Sequence, residues 1–110
     1  MRHVSDYLVR QRLLFERLEP IALSELGSKK RLECYLGVDS TKHYNVIFVN
    51  PGKTRILQKD FEQLEALVER LETLKGHRIL KRLLFSQAPV CSKAITRYQQ
   101  EGWKVWHVSV

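Results

Sequence analysis

"YNVIFVN", residues 44–50, places Val46, Ile47, Phe48 and Val49 in an unbroken apolar row. A strand that is apolar on both faces belongs in the middle of a sheet covered by helices on both sides. The run is followed by Pro51-Gly52, which turns the chain, and from Asp60 by "DFEQLEALVERLE". There Phe61, Leu64, Leu67, Val68, Leu71 and Leu74 recur at helical spacing, Asp60 with Gln63 resembles a capping box, and Gly76 ends the pattern. Strand, turn and amphipathic helix in this order make the first half of an α/β crossover.

Upstream, "RLECYLGVD" (31–39) alternates, with Leu32, Cys34, Leu36 and Val38 on one side and Glu33, Tyr35 and Asp39 on the other. That is the period of a half-buried strand, and "STKH" turns it back toward residues 44–50. Downstream, "RILKRLLF" (78–85) reads as a strand. "APVCSKAITRYQQEG" (88–102) reads as a helix with Pro89 in its first turn and Gly102 as its stop. "WKVWHVSV" (103–110) reads as a last strand with Trp103 and Trp106 on opposite faces. At the N-terminus, Val4, Leu8, Leu14, Phe15 and Leu18 predict one helix over residues 3–19, followed by Pro20. Residues 20–27 are a weak edge-strand candidate, and residues 54–58 a short extended piece. The expected fold is α/β: a single domain over residues 1–110, three-layer α/β/α, with a central mixed sheet.

The 110 residues, 44% hydrophobic and 28% charged, fit one ordinary globular domain. No apolar run is long enough to span a bilayer, and the first residues lack the pattern of a secretion signal. Cys34 and Cys91 match no metal-ligand spacing, and together these features predict a cytoplasmic protein with no membrane partner. The net charge is +7, unevenly spread. Of 19 basic and 12 acidic residues, the segment 60–76 takes 2 and 5, a local −3, leaving 17 and 7, or +10, elsewhere. Such a field favours a polyanion, DNA or RNA.

The element order resembles the restriction-endonuclease-like, or PD-(D/E)XK, superfamily, with a layout like that of Holliday-junction resolvases. The resemblance implies a nuclease fold in which one strand starts with an acidic residue, the next ends in Glu-x-Lys, and the following helix carries a glutamine in its first turn. Here "ECYLG" offers Glu33 for the first acid and "DFEQLEAL" offers Gln63 for the glutamine. "VIFVN" puts Phe48 in place of the glutamate and Asn50 in place of the lysine. Such nucleases hold Mg²⁺ between carboxylates and the scissile phosphate. Phenylalanine has no lone pair to offer, and an amide does not neutralise a phosphate. Asp39 is a substitute carboxylate only if the strand bends sharply, since it lies six residues, roughly 20 Å, from Glu33. Lys59 would pair with Leu57, which is no ligand.

The expectation is therefore a nucleic-acid-binding domain with a degenerate nuclease-like core, no cofactor and no catalysis. Contacts to phosphate are expected from Lys29, Lys30, Arg31, Lys42, Lys53 and Arg55, with Tyr35 as an aromatic partner. Two alternatives stay open. One is a protein-interaction or assembly module, homodimeric or with another partner protein. The other is an active Mg²⁺-dependent endonuclease with relocated ligands. Cys91 and Arg97 have the spacing of a cysteine-phosphatase loop, but the segment has no glycine to let its amides converge, so Cys91 is read as a thiol in the first helical turn and Arg97 as a surface residue. The four histidines, His3, His43, His77 and His107, are scattered without metal-ligand spacing.

Overall fold

The computed structural model describes residues 4–28, 31–52, 55–57 and 59–108. Its elements are α1 (Val4–Arg10), β1 (Phe15–Ile21), a 3₁₀ turn (Leu23–Leu26), β2 (Glu33–Asp39), β3 (Tyr44–Asn50), α2 (Asp60–Lys75), β4 (Ile79–Ser86), α3 (Ser92–Gln100) and β5 (Trp103–His107). The five strands form one sheet in the order β1-β2-β3-β4-β5. β1 and β2, and β2 and β3, pair antiparallel; β3 and β4, and β4 and β5, pair parallel. The sheet is mixed, as expected, and β3 is its central strand.

Alternation along β3 separates two cores. Val46 and Phe48 join Cys34, Leu36 and Leu84 beneath α2, α3 and the 3₁₀ turn, whose Phe61, Leu64, Leu67, Val68, Leu71, Tyr98, Leu23 and Leu26 close over them. Ile47 and Val49 join Leu83 and Phe85 beneath Val4, Tyr7 and Leu8 of α1. Helices therefore cover both faces of the sheet, giving three layers. Burying a side chain such as Phe48 or Leu64 is worth about 1.5–3 kcal/mol each, which is why the apolar row of β3 commits the chain to this arrangement.

Helix α2 matches the expected span and ends on Gly76 at φ 70°, where a left-handed residue closes the last turn. At its start the Asp60 carboxylate accepts a hydrogen bond from the Leu57 N–H, 2.8 Å away, so the closure spans Leu57 to Asp60, three residues upstream of the expected capping box. α3 begins after Cys91, so Pro89 lies ahead of the helix rather than in its first turn. Gly102, at φ 85°, follows its end as expected. Residues 54–58 contribute only an isolated bridge from Ile56 to Val90; Thr54 and Gln58 lie outside the described residues.

The N-terminal expectation fails. Residues 3–19 form not one helix but a seven-residue helix and then a strand. The cause is a register shift in the β1–β2 ladder between Phe15 and Arg17. The extra residue of a bulge resets the alternation, so Phe15 and Leu18 both reach the α1-side core although they are three apart. Three-residue spacing of apolar side chains imitates a helix. Of residues 20–27, only Pro20 and Ile21 belong to the strand; the rest is the 3₁₀ turn, ended by Gly27 at φ 72°.

Candidate nucleic-acid interface

The ladder registers define one end of the sheet. Glu33 pairs with Val49, and Asn50 with Ser86, so β2 begins where β3 and β4 finish. Arg31 precedes this start, Arg55 and Lys59 lie in the connection that leaves β3, and Lys93 sits in the first turn of α3 after β4. All four are exposed, and among the described residues none forms an ion pair. Lys29, Lys30 and Lys53, expected to contribute here, lie outside the described residues.

Lys42 is elsewhere. It occupies the β2–β3 turn at the opposite end, roughly 20 Å away along seven residues of strand. It is held there by an ion pair with Glu16. Two other lysines toward that end are also engaged: Lys75 with Glu19 at 2.8 Å and Lys81 with Asp39 at 4.0 Å. Arg17 and Arg78 are not in ion pairs among the described residues. The turn itself is built on Asp39. Its carboxylate accepts from the Thr41 hydroxyl (2.6 Å), the Thr41 and His43 N–H groups (3.0 Å each) and the Asn45 amide (3.3 Å). These bonds, the Thr41 hydroxyl's first, hold the carboxyl far below its usual range. Asp39 is thus a turn-builder, at the other end of its strand from Glu33.

The residues matched to the nuclease pattern divide between the two faces of the sheet. Glu33 stands opposite Val49 on the α1 side, where the Tyr35 hydroxyl donates to it at 2.7 Å. Burial and this carboxylate push the Tyr35 phenol up to about 12. Phe48 points the other way. Its ring is fully buried under α2 and α3, with the Trp103 ring stacked 5.8 Å away. Glu33 and Phe48 therefore do not share a pocket.

The β2 residue that does share one with Phe48 is Cys34, its direct partner in the ladder and 2% exposed. Burial raises its thiol to about 12, so it is neutral at physiological pH. Asn50 follows two positions later, buried, its amide donating to the Ser86 hydroxyl at 3.2 Å, and that hydroxyl in turn donates to the Ala88 carbonyl at 2.7 Å. Gln63 is exposed in the first turn of α2. A neutral thiol, a phenyl ring and an amide do not fit a hard divalent cation, which takes ionised carboxylates. Among the described residues, no three His, Cys, Asp or Glu side chains gather in a group that could hold a metal.

Two acidic residues of α2 face partners within the domain. Glu65 accepts the Trp103 indole N–H at 2.5 Å and lies 3.6 Å from the Arg82 guanidinium; Glu62 lies 3.9 Å from that of Arg97. Arg97 also sits 4.7 Å from the centre of the Phe61 ring and reaches Glu101, which places it in the α2–α3 contact as a structural side chain.

Solved structures carry this same arrangement of helices and strands. EndoMS in its apo form superposes with a TM-score of 0.60 at 18% identity, covering 97% of this chain and 45% of that one. A repair endonuclease from Pyrococcus abyssi gives 0.57 at 15% identity, covering 96% and 45%. The EndoMS–dsDNA2 complex gives 0.55 at 18% identity, covering 96% and 43%. The fold is restriction-endonuclease-like. The chain spans less than half the length of each of these nucleases. No family model matches it, and no curated protein does.

Among the exposed cations at this end, Lys93 escaped the sequence reading and Lys59 was weighed there only as a relocated catalytic lysine; the place of Cys34 opposite Phe48 was missed as well. The two lysines became meaningful only when the ladder placed the starts of α2 and α3 beside the start of β2.

Proposed function

We propose that this domain binds nucleic acid without cutting it, through the end of the sheet where β2 begins and β3 and β4 finish. The observation that carries the reading is the set of exposed cations around that end, Arg31, Arg55, Lys59 and Lys93, in no ion pair among the described residues, beside a pocket filled by Cys34, Phe48 and Asn50. Phosphates would meet the cations, which contribute affinity without reading sequence. The pocket offers no pair of carboxylates to a metal, so no hydrolytic step follows from it. EndoMS has been solved with double-stranded DNA, which makes duplex DNA the first ligand to try.

The domain is read as a cytoplasmic accessory to DNA or RNA processing, with no membrane partner. Among the described residues, no helix is long and apolar enough to cross a bilayer.

Fluorescence anisotropy with duplex, branched and single-stranded DNA and RNA, at two salt concentrations, tests the binding half. The expected result is binding at low salt that falls with log[salt] at a slope near −3 to −4 for about four phosphate contacts. Absence of binding at low salt overturns it. Incubating the same substrates with Mg²⁺ or Mn²⁺ tests the other half, and the expected result is intact substrate. Cleavage that persists in purified protein and is quenched by chelator would establish the endonuclease alternative instead.

A further inference from the structure

The two edges of the sheet are built differently. β1 carries the devices that keep an edge from pairing: Pro20, the irregularity between Phe15 and Arg17, and the ion-paired carboxylates Glu16 and Glu19. β5 has no proline, no bulge and a single charge, Lys104. Among the described residues, its backbone bonds run only to β4.

We propose that β5 pairs antiparallel with β5 of a second copy of this chain, about a two-fold axis at Val105. The register follows from charge and alternation. Trp103 and Val105 belong to the α2–α3 side of the sheet, while Trp106, and with it Lys104, lies on the α1 side. A two-fold pair keeps each side chain on its own face, so residues of like parity meet. Centring on Val105 overlaps all five residues. It sets Val105 against its own copy, Trp103 against His107 of the second copy, and Lys104 against Trp106 of the second copy. Shifting the axis to Lys104 would oppose two lysines.

In the Val105 register each ammonium group instead lies beside an indole. One face of that indole already stacks on Phe85, 4.7 Å away, and the half-exposed remainder is free to receive a cation. The pairing is short, and it predicts a concentration-dependent dimer rather than a permanent one.

The proposal is independent of nucleic-acid binding and is tested without it. Analytical ultracentrifugation from micromolar to submillimolar protein is expected to show the mass rising from 13.0 kDa toward twice that value. Val105→Lys sets like charges on the axis and should weaken the dimer at least about tenfold while circular dichroism stays unchanged. In a Cys91→Ser background, Val105→Cys should form a disulfide-linked dimer on mild oxidation, and Lys104→Cys should not. These two variants decide the matter if Val105→Lys fails to fold. A chain that remains monomeric throughout, a dimer indifferent to Val105→Lys in folded protein, or equal cross-linking at position 104 overturns the proposal.

Discussion

Cys34 and Phe48 face each other across the β2–β3 ladder, on the same side of the sheet and sealed from solvent by α2. Two side chains so placed are near enough to share one ligand, and here they lie within the apolar cluster under α2, with the Trp103 ring stacked on Phe48. Two carboxylates in these facing positions would be close enough to hold one divalent cation.

That geometry can be tested by putting the carboxylates in. Cys34→Asp with Phe48→Glu buries two like charges in an apolar site, and the melting temperature should fall steeply in chelator. Millimolar Mg²⁺ should recover several degrees of it, because an ion bound only by the folded state stabilises that state. The wild-type chain should not respond. Differential scanning calorimetry with and without Mg²⁺ reads the result. For comparison, Phe48→Ala alone should cost about 3–5 kcal/mol in urea denaturation.

The raised thiol of Cys34 has a pH signature. Its ordinary value is 9.0 and the folded value about 12, so the fold favours the neutral form. Its stabilising contribution is complete below pH 9, and it is lost as pH rises from there toward 12. Cys34→Ala should flatten the alkaline limb of the stability curve. At pH 8 a thiol reagent should modify the half-buried Cys91 in native protein and reach Cys34 only after denaturation.

Asp39 runs the opposite way. Its carboxyl is held below the ordinary 3.8 by hydrogen bonds from Thr41, His43 and Asn45. Its contribution is present above that value and disappears as pH falls below it. Asp39→Ala should destabilise the protein at neutral pH and lose this penalty progressively in acid. An NMR titration should show the Asp39 carboxyl still ionised when exposed glutamates have protonated.

Gly37 lies on the α1 side of β2, and a Cβ added there would stand 2.8 Å from Cδ1 of the Phe15 ring. Gly37→Ala should cost about 1–3 kcal/mol as the ring is displaced. Gly37→Ala with Phe15→Leu should cost less than the sum of the two single changes, which a double-mutant cycle in urea would measure.

Arg31 and Lys42 separate the two ends of the sheet. Arg31→Ala and Arg55→Ala should each lower affinity for duplex DNA and reduce the magnitude of the salt slope by about 1. Lys42→Gly should leave binding unchanged. Lys42 has φ 67°, a conformation that glycine adopts without strain, so the same change should stabilise the turn by about 1 kcal/mol, less the small worth of the exposed pair with Glu16.

Most of the sheet is legible in the sequence, because burial on both sides leaves β3 and β4 few polar positions and Gly76 and Gly102 punctuate the helices. β1 was not readable, since its irregular ladder gives Phe15 and Leu18 the spacing of a helix. For the candidate site, the sequence set Glu33 beside Phe48 and Asn50, whereas the ladder puts Cys34 opposite Phe48 and Glu33 on the other face, since one residue in a strand is the difference between two faces. The signal that could have placed it was the turn. A loop of Ser40, Thr41 and Lys42 closed by Asp39 and His43 aligns Cys34, not Glu33, with Phe48.

The strand order has a kinetic meaning. Neighbours in the sheet are consecutive strands of the chain throughout, so each strand docks on the one made before it. Loop closure costs least at the β2–β3 turn and most at the parallel β3–β4 pairing, where Tyr44 meets Ile79 across α2, and such a parallel crossover is the slower step. During synthesis β1, β2 and β3 can assemble as a meander while α2 is still being made, and each later helix–strand pair then adds to an edge that already exists.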